Sequence, residues 1–236
     1  MSLHYEMVSE ELKRTLRQLM KIEELNSFRL VGGTGLALQL GHRSSIDIDL
    51  FAAGNAPSPR ELAVILEKNF LSGFSISRFQ QYGLSASINQ IKVDIYDWKV
   101  PYYSPPVMID QIRFASVDDV FAFKCEALTG RKSEKDFVDL SEILLHQPLD
   151  QLLLAFTHRY PFITKAAIFA ILLKPESFER DFTIRYAPGK SWDEYQMVMK
   201  DKIVAYETQL QQQKAYDLDK RDEAIQKLIN QKRKNK

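Results

Sequence analysis

The sequence predicts an α+β protein in which a mixed β-sheet flanked by helices is followed by a mostly helical C-terminal half. The first half alternates between helical and strand hydrophobic patterns and ends in three strand candidates in close succession. From Ser116 onward the strand patterns nearly stop and helical spacing continues to the C-terminus. This change predicts two domains, a sheet-containing core over residues 1–115 and a helical domain over residues 116–236.

The first elements follow the order α-β-α-β-α. Residues 5–25 carry apolar side chains near helical spacing, and "FRLV" follows as a short strand. After a glycine pair, "TGLALQLG" predicts a short buried helix that ends at Gly41. "IDIDLF" alternates strictly and predicts a strand, while "SPRELAVILEKNF" places Pro59 in the first turn of another helix.

Three strands are predicted next, in "GFSISRFQQ", "GLSASINQ" and "IKVDIYDW". Their short connections favour antiparallel neighbours. "KVPYYSPPV" is predicted to be a loop because its prolines lack backbone donors. The later helices are expected to begin after Ser116 and Ser133, with breaks at prolines and a long helix from Trp192.

Composition indicates a globular protein of the cytoplasm. The 236 residues are 45% hydrophobic and 27% charged, and no apolar run approaches the ~20 residues of a membrane span. The charged N-terminus does not resemble a signal peptide, and the single Cys125 has no internal disulfide partner. These features predict no membrane partner. The basic end, "KLINQKRKNK", fits either contact with nucleic acid phosphates or a solvated helix end.

Two aspartates in "IDIDLF" are the first candidate functional residues. Strand alternation places Ile46, Ile48 and Leu50 on one face and Asp47 and Asp49 on the other. Carboxylates this close repel each other unless a cation compensates, so the pair indicates an oxygen-ligand site for Mg²⁺. An exposed strand face with solvated acids is the alternative.

Two further features surround this pair. Gly32, Gly33 and Thr34 lie between a strand and a helix, where backbone N–H groups bind phosphate readily, although a tight turn would also explain them. In "IKVDIYD" the alternation directs Asp94 away from the core, so a third carboxylate could meet the first two across the sheet.

Together these features resemble the DNA polymerase β-type nucleotidyltransferase superfamily. The segments "GGTGLALQLGHRSSIDIDLF", "KVDIYD" and "FKCEALTGRKSEKDFVDL" are more narrowly similar to the AbiEii/AbiGii nucleotidyltransferase toxin family. The resemblance covers about residues 30–140. It implies that the sheet is a nucleotidyltransferase core and that the helical domain contributes basic residues to its cleft.

The resemblance also implies a role for each matching position. Asp47, Asp49 and Asp94 match acids that bind metal, with two Mg²⁺ ions expected, and Lys124 joins them as a catalytic residue. The expected nucleotide-binding residues are Gly32, Gly33, Thr34, Arg43, Ser45, Arg131, Asp136 and Asp139. The family often has Arg-Asp where this chain has Lys135-Asp136, which loses the bidentate guanidinium. The alternatives are a solvated charge face for Lys124, an ordinary ion pair between Arg131 and Asp136, and a turn-forming role for Arg43 and Ser45.

The implied function is Mg²⁺-dependent transfer of a nucleotide from an NTP to an acceptor hydroxyl. The family further implies a toxin that modifies RNA, such as tRNA, or another cellular target, with a cognate antitoxin as a possible partner. Two alternatives share the fold: a catalytically silent protein that binds a nucleotide or a partner, and an enzyme that modifies a small molecule such as an antibiotic.

Overall fold

The computed structural model describes residues 2–234, with side chains described as far as residue 225. The strands are β1 (Arg29–Val31), β2 (Ile48–Ala52), β3 (Phe74–Gln80), β4 (Gly83–Ile88), β5 (Ile91–Asp97), β6 (Val107–Ile109) and β7 (Ile112–Phe114). The α-helices are α1 (Glu10–Lys21), α2 (Gly32–Leu40), α3 (Pro59–Phe70), α4 (Val117–Ala127), α5 (Glu134–His146), α6 (Leu149–Arg159), α7 (Lys165–Leu172) and α8 (Trp192–Lys234). The side chains of the basic end "KLINQKRKNK" lie outside the described residues.

The strands form one mixed seven-stranded sheet in the order β3-β4-β5-β2-β1-β7-β6. The predicted antiparallel run β3-β4-β5 is confirmed. β2 lies parallel to β5 and antiparallel to β1, and β1 lies parallel to β7. The predicted α+β class with a helical C-terminal half is therefore confirmed.

The β6–β7 hairpin corrects the sequence analysis, which predicted a loop up to Val107 and no strand after "IKVDIYDW". Each strand has only three residues, too few for alternation to be recognised. The connecting Asp110 and Gln111 both have positive φ, at 49° and 62°, as in a two-residue hairpin turn. The hairpin forms because β7 pairs with β1, a contact that the local sequence does not contain.

Most helix starts follow the predicted local chemistry. Ser116 accepts a hydrogen bond from the Asp119 backbone N–H, and Ser58 forms a capping box with Glu61. Gly41 ends α2 in the left-handed conformation, with φ 64°. Ser133 stands at the start of α5 but its side chain makes no capping bond. Instead, the Glu134 N–H donates to the Glu179 carbonyl, so a distant segment replaces the predicted cap.

The opening helix is shorter than predicted. α1 covers Glu10–Lys21, and separate 3-10 turns at Tyr5–Met7 and Glu23–Leu25 flank it. α2 begins at Gly32, two residues before the predicted segment.

The core has a part on each face of the sheet. Ile48, Leu50, Val93 and Ile95 pack with α1 and α3 on one face, as the alternation predicts. On the other face, Val31 and Leu36 share a cluster with side chains of the C-terminal helices. The predicted placement of Ile46 on one strand face with Ile48 and Leu50 is wrong: β2 begins only at Ile48, and the Ile46 side chain is 68% exposed. The division into domains at residue 115 stays a prediction.

Among the described residues, no helix has the length and apolar character that a membrane crossing requires.

We expect Gly83→Ala to destabilise the fold by about 1–3 kcal/mol, the usual range for overpacking. A Cβ at Gly83 would lie 2.1 Å from the Ile95 carbonyl oxygen, and backbone in a paired strand cannot easily give way. Gly130→Ala is the matched control, since its Cβ would meet only the Ala127 carbonyl at 3.9 Å. Urea unfolding of both variants measures the difference; equal free energies of unfolding would contradict the expectation.

Candidate active site

Asp49 and Asp94 lie side by side on the parallel strands β2 and β5. The register pairs Asp49 with Asp94, and both side chains face away from the Ile48 and Leu50 side of the sheet. The Asp94 Oδ2 atom lies 2.8 Å from the Lys92 ammonium, while Asp94 Oδ1 is buried without a hydrogen-bond partner among the described residues. The two strands thus bring together two acids that are 45 residues apart in the chain, one with an unsatisfied oxygen.

The first residue of α2 lies directly against the Asp49 carboxylate. Gly32 has φ 67°, and a Cβ there would lie 2.2 Å from Asp49 Oδ2, so both the backbone and the space require glycine. The neighbouring Gly33 also lines the cleft around the acids. A helix N-terminus in this position favours bound anions as well as the carboxylate.

The electrostatics of this pair fit a divalent cation. Burial and, next, the nearby Asp94 carboxylate raise the pKa of Asp49 to about 6. Asp94 Oδ1 is buried without a donor in the described part of the chain, and the Asp49 carboxylate is partly desolvated beside Asp94. A cation that takes oxygen ligands would stabilise both groups. The described residues contain no group of three Asp, Glu, His or Cys side chains arranged to hold a metal ion. Convergence of Asp47 with the other two acids on one cation, and a two-metal site, stay predictions.

Thr34 and Ser45 position the segment that leads into β2. The Thr34 hydroxyl is buried, lies 2.8 Å from the Ser45 Oγ atom and donates to the Asp47 carbonyl. Thr34 therefore fixes the backbone that carries Asp47, whereas Ser45 is only half-buried and lines the cleft.

A buried charge cluster, formed by Arg43, Lys124, Asp136 and Asp139, lies behind the acids. The Arg43 guanidinium binds both Asp139 oxygens, with Nε–Oδ1 at 2.7 Å and Nη2–Oδ2 at 2.8 Å. The Lys124 ammonium lies 2.8 Å from Asp136 Oδ1 and 2.6 Å from Asp139 Oδ2. Arg131, whose side chain is 67% exposed, closes the cluster toward solvent with Nε 2.8 Å from Asp136 Oδ2.

The buried charge cluster contains three of the residues expected to bind the nucleotide, namely Arg43, Asp136 and Asp139. Arg43 and Asp139 are 2% and 0% exposed, and their polar groups bind each other inside the protein. Burial by itself would raise the pKa of Asp139, but the Arg43 guanidinium and the Lys124 ammonium hold it well below its usual range. Arg131 and Asp136 form the ion pair that the sequence left as an alternative. Lys124 is 7% exposed, so a solvated charge face is excluded for it.

A cleft with two lobes runs between the sheet and the helical half, where α4 and the start of α5 line it. The aromatic lobe, of about 580 Å³, has Phe51, Tyr96, Trp98, Phe123 and Glu126 in its wall. The polar lobe, of about 560 Å³, is lined by charged and hydroxyl side chains, which include Ser45, Asp47, Lys92, Lys132 and Lys135. Both lobes share one set of lining residues: Gly33, Asp49, Asp94, Lys124, Gly130, Arg131 and Asp136. The acids therefore stand where the lobes meet.

Two parts of this cleft were missed by the sequence analysis. Phe51 and Tyr96 each follow an acid by two residues on the same strand face, so the alternation already seen in "IDIDLF" and "IKVDIYDW" could have found them. The second part is the strap, residues 179–187, which contributes Glu179, Thr183 and Ile184 to the polar lobe. Two backbone hydrogen bonds join the strap to the segment before β2. The Ser44 N–H donates to the Arg185 carbonyl, and the Ala187 N–H donates to the His42 carbonyl. The strap sequence has no hydrophobic periodicity, so no sequence pattern predicted that it would line the cleft.

We expect Asp139→Asn to lower the free energy of unfolding at pH 7 by about 3–5 kcal/mol, because Arg43 and Lys124 would lose a buried counter-charge. The folded-state pKa of Asp139 lies well below the ordinary 3.8, so its contribution to stability is complete above pH 3.8 and is lost progressively as the pH falls from there toward the folded-state pKa. Wild type should therefore lose stability more steeply than the variant below roughly pH 4. Urea unfolding across this pH range measures both effects.

Asp201→Asn is the control, because Asp201 is exposed on α8. If the Asp139 and Asp201 variants unfold alike at pH 7, the buried cluster does not stabilise the fold as described.

Similar proteins were found at the level of sequence family and of fold. Residues 14–212 match the family described as the nucleotidyl transferase AbiEii toxin of a type IV toxin–antitoxin system. A curated relative, an uncharacterised protein of Aquifex aeolicus (strain VF5), is 27% identical over 135 residues, covering 56% of this chain and 65% of that protein. The chain thus spans less than two thirds of the length of this relative.

Solved structures that share the fold include two nucleotidyltransferases. A candidate nucleotidyltransferase from Helicobacter pylori has a TM-score of 0.56 at 15% identity and covers 86% of this chain and 94% of its own. The nucleotidyltransferase toxin MenT4 from Mycobacterium tuberculosis H37Rv has a TM-score of 0.55 at 13% identity, with 81% and 80% covered. At these identities the likeness shows the fold alone. The sequence match, however, extends over most of the chain, and the protein therefore belongs to the AbiEii family of nucleotidyltransferase toxins.

Proposed function

We propose that this protein transfers a nucleotide from an NTP to an acceptor hydroxyl in a Mg²⁺-dependent reaction. One observation carries the proposal: Asp49 and Asp94 stand in register at the junction of the two lobes, with an unsatisfied Asp94 oxygen and the N-terminus of α2 beside them. Metal-assisted nucleotidyl transfer needs this combination of oxygen ligands and a phosphate-binding backbone.

Each part of the site has a proposed role. Asp47, Asp49 and Asp94 hold the cation, and Gly32 and Gly33 present backbone N–H groups to the triphosphate. When bound, Mg²⁺ polarises the phosphate and lowers the pKa of the attacking hydroxyl.

The helical half supplies positive charge. Arg131 is exposed and lines both lobes, so its guanidinium can bind the leaving pyrophosphate while Asp136 orients it. Lys124 keeps its ammonium between Asp136 and Asp139 and adds positive potential beside Asp49, where it lowers the cost of charging that carboxylate. In this proposal Arg43, Asp136 and Asp139 act on the nucleotide indirectly, because they hold Lys124 and Arg131 in position.

The remaining roles follow from the family. We propose a toxin that acts in the cytoplasm on RNA, tRNA above all, and that a cognate antitoxin neutralises. A small-molecule acceptor would use the same acids, and acceptor screening separates the two. A silent nucleotide-binding protein is the third possibility, and the absence of a three-acid metal group among the described residues is the observation in its favour.

We expect Asp49→Asn to reduce nucleotide transfer by at least about 10²-fold, since a preorganised electrostatic contact at the reacting centre is lost. The fold should survive, because Ile48 and Leu50 on the opposite face form the core. Without Mg²⁺ the melting temperature should hold or rise, since the variant removes one of two repelling carboxylates. Labelled NTPs with total RNA, and thermal melts with and without millimolar Mg²⁺, provide the measurements.

Asp219→Asn is the matched control on the exposed part of α8. Full transfer by the Asp49 variant, or a wild-type melt that Mg²⁺ does not shift, would favour the silent-binder alternative.

A further inference from the structure

We propose that the aromatic lobe binds the base of the incoming NTP and that Glu126 selects bases with an amino group on their Watson–Crick edge over uracil. This inference rests on the proposed function and deepens it. It assigns a ligand to the lobe that the transfer chemistry leaves unused.

Strand register fixes where a base would lie. Phe51 pairs with Tyr96 in the same parallel ladder that pairs Asp49 with Asp94, two residues further along the same face. Two residues of strand span roughly 7 Å. A ribose bridges a gap of that size, so a nucleotide with its α-phosphate at the acids places its base against the aromatic rings.

The rings of Phe51, Tyr96 and Trp98 cluster on this face of the sheet, and the Phe123 ring from α4 meets Phe51 and Trp98 edge-on at 5.5 and 6.0 Å. Phe51 and Trp98 stack with centroids 5.7 Å apart and planes 8° apart, and Tyr96 tilts against both at 6.2 Å. All three are half-buried, so they keep free surface toward the cleft. Every base has a π-face, and aromatic side chains stack bases readily.

The opposite lobe suits the other end of the nucleotide. The polar lobe contains Lys92, Lys132 and the shared Arg131, which match β- and γ-phosphates in charge. A nucleotide that crosses the acids therefore has its base in the aromatic lobe and its outer phosphates in the polar lobe.

Glu126 is the polar group that distinguishes bases in the aromatic lobe. It lies on α4 one turn after Phe123, and its carboxylate makes no hydrogen bond or ion pair with any described side chain. Burial raises the pKa of Glu126, against the opposing effect of the nearby Arg131 charge. Exocyclic amino groups of adenine, cytosine and guanine can donate to the Glu126 carboxylate, whereas the one donor on the Watson–Crick edge of uracil, N3–H, lies between two carbonyl oxygens that the carboxylate repels.

The test measures NTP binding without an acceptor, through quenching of Trp98 fluorescence in a Trp192→Phe background. Ligands are Mg²⁺ complexes of the four NTPs and of inorganic tripolyphosphate, which has no base. Tyr96→Leu should weaken binding of NTPs about tenfold and leave tripolyphosphate, detected by calorimetry, unchanged. Tyr82→Leu, on the exposed β3–β4 turn, is the control for loss of a tyrosine.

The second variant, Glu126→Gln, tests base selection. An amide both donates and accepts, so the preference of wild type for the other NTPs over UTP, expected to be at least about tenfold, should fall toward one. Glu67→Gln on α3 is the control. A structural role for Glu126 would weaken all four NTPs equally and would overturn the selection claim.

The outcomes separate this inference from the proposed function. If wild type binds tripolyphosphate and transfers nucleotides, and Tyr96→Leu leaves the NTP affinity unchanged, this inference is overturned while the proposed function stands. A Tyr96→Leu effect confined to the KM for acceptor RNA assigns the lobe to a base of the acceptor and also overturns it. Failure of wild type to bind any NTP overturns both.

Discussion

The ion pairs of Lys124 with Asp136 and Asp139 are the constraint on which the rest of the site depends. Through Asp139 they continue to Arg43, so one buried cluster joins α4, α5 and the segment before β2. A buried charge is tolerated only when its partners hold it closely, and removing one partner is costly. The cluster therefore fixes the separation between the helical half and the sheet, and with it the width of the cleft.

The acids around the cleft include two pairs with contrasting environments. Asp136 and Asp139 have counter-charges within 2.8 Å, and those charges lower their pKa values despite burial. Asp49 has the opposite balance, because burial and the neighbouring Asp94 carboxylate raise its pKa. Asp94 has one oxygen beside the Lys92 ammonium and the other without a hydrogen-bond partner among the described residues. Paired acids stabilise the scaffold, and the incompletely paired acids are those to which we assign the cation in the proposed function.

The cleft follows from the same arrangement. β2 and β5 each carry an acid and then an aromatic residue on one face, and parallel pairing aligns acid with acid and ring with ring. α4 covers this face with Phe123 and Lys124, and the strap closes the polar end through backbone bonds to the segment before β2. Chemistry-bearing residues from four separate stretches of the chain therefore meet along one line across the sheet.

Much of this could be predicted from the sequence because it depends on neighbours in the chain. Alternation determined the faces of Asp49 and Asp94, glycines determined the tight approach at Gly32, and side-chain oxygens determined the starts of α3 and α4. Tertiary structure decided what depends on distant partners. It paired Arg43 with Asp139, replaced the Ser133 cap with the Glu179 carbonyl, formed the β6–β7 hairpin against β1 and left Ile46 in solvent. The physical reason is that charge pairing, strand pairing and burial act between groups close in space, and local sequence patterns do not encode which distant groups those are.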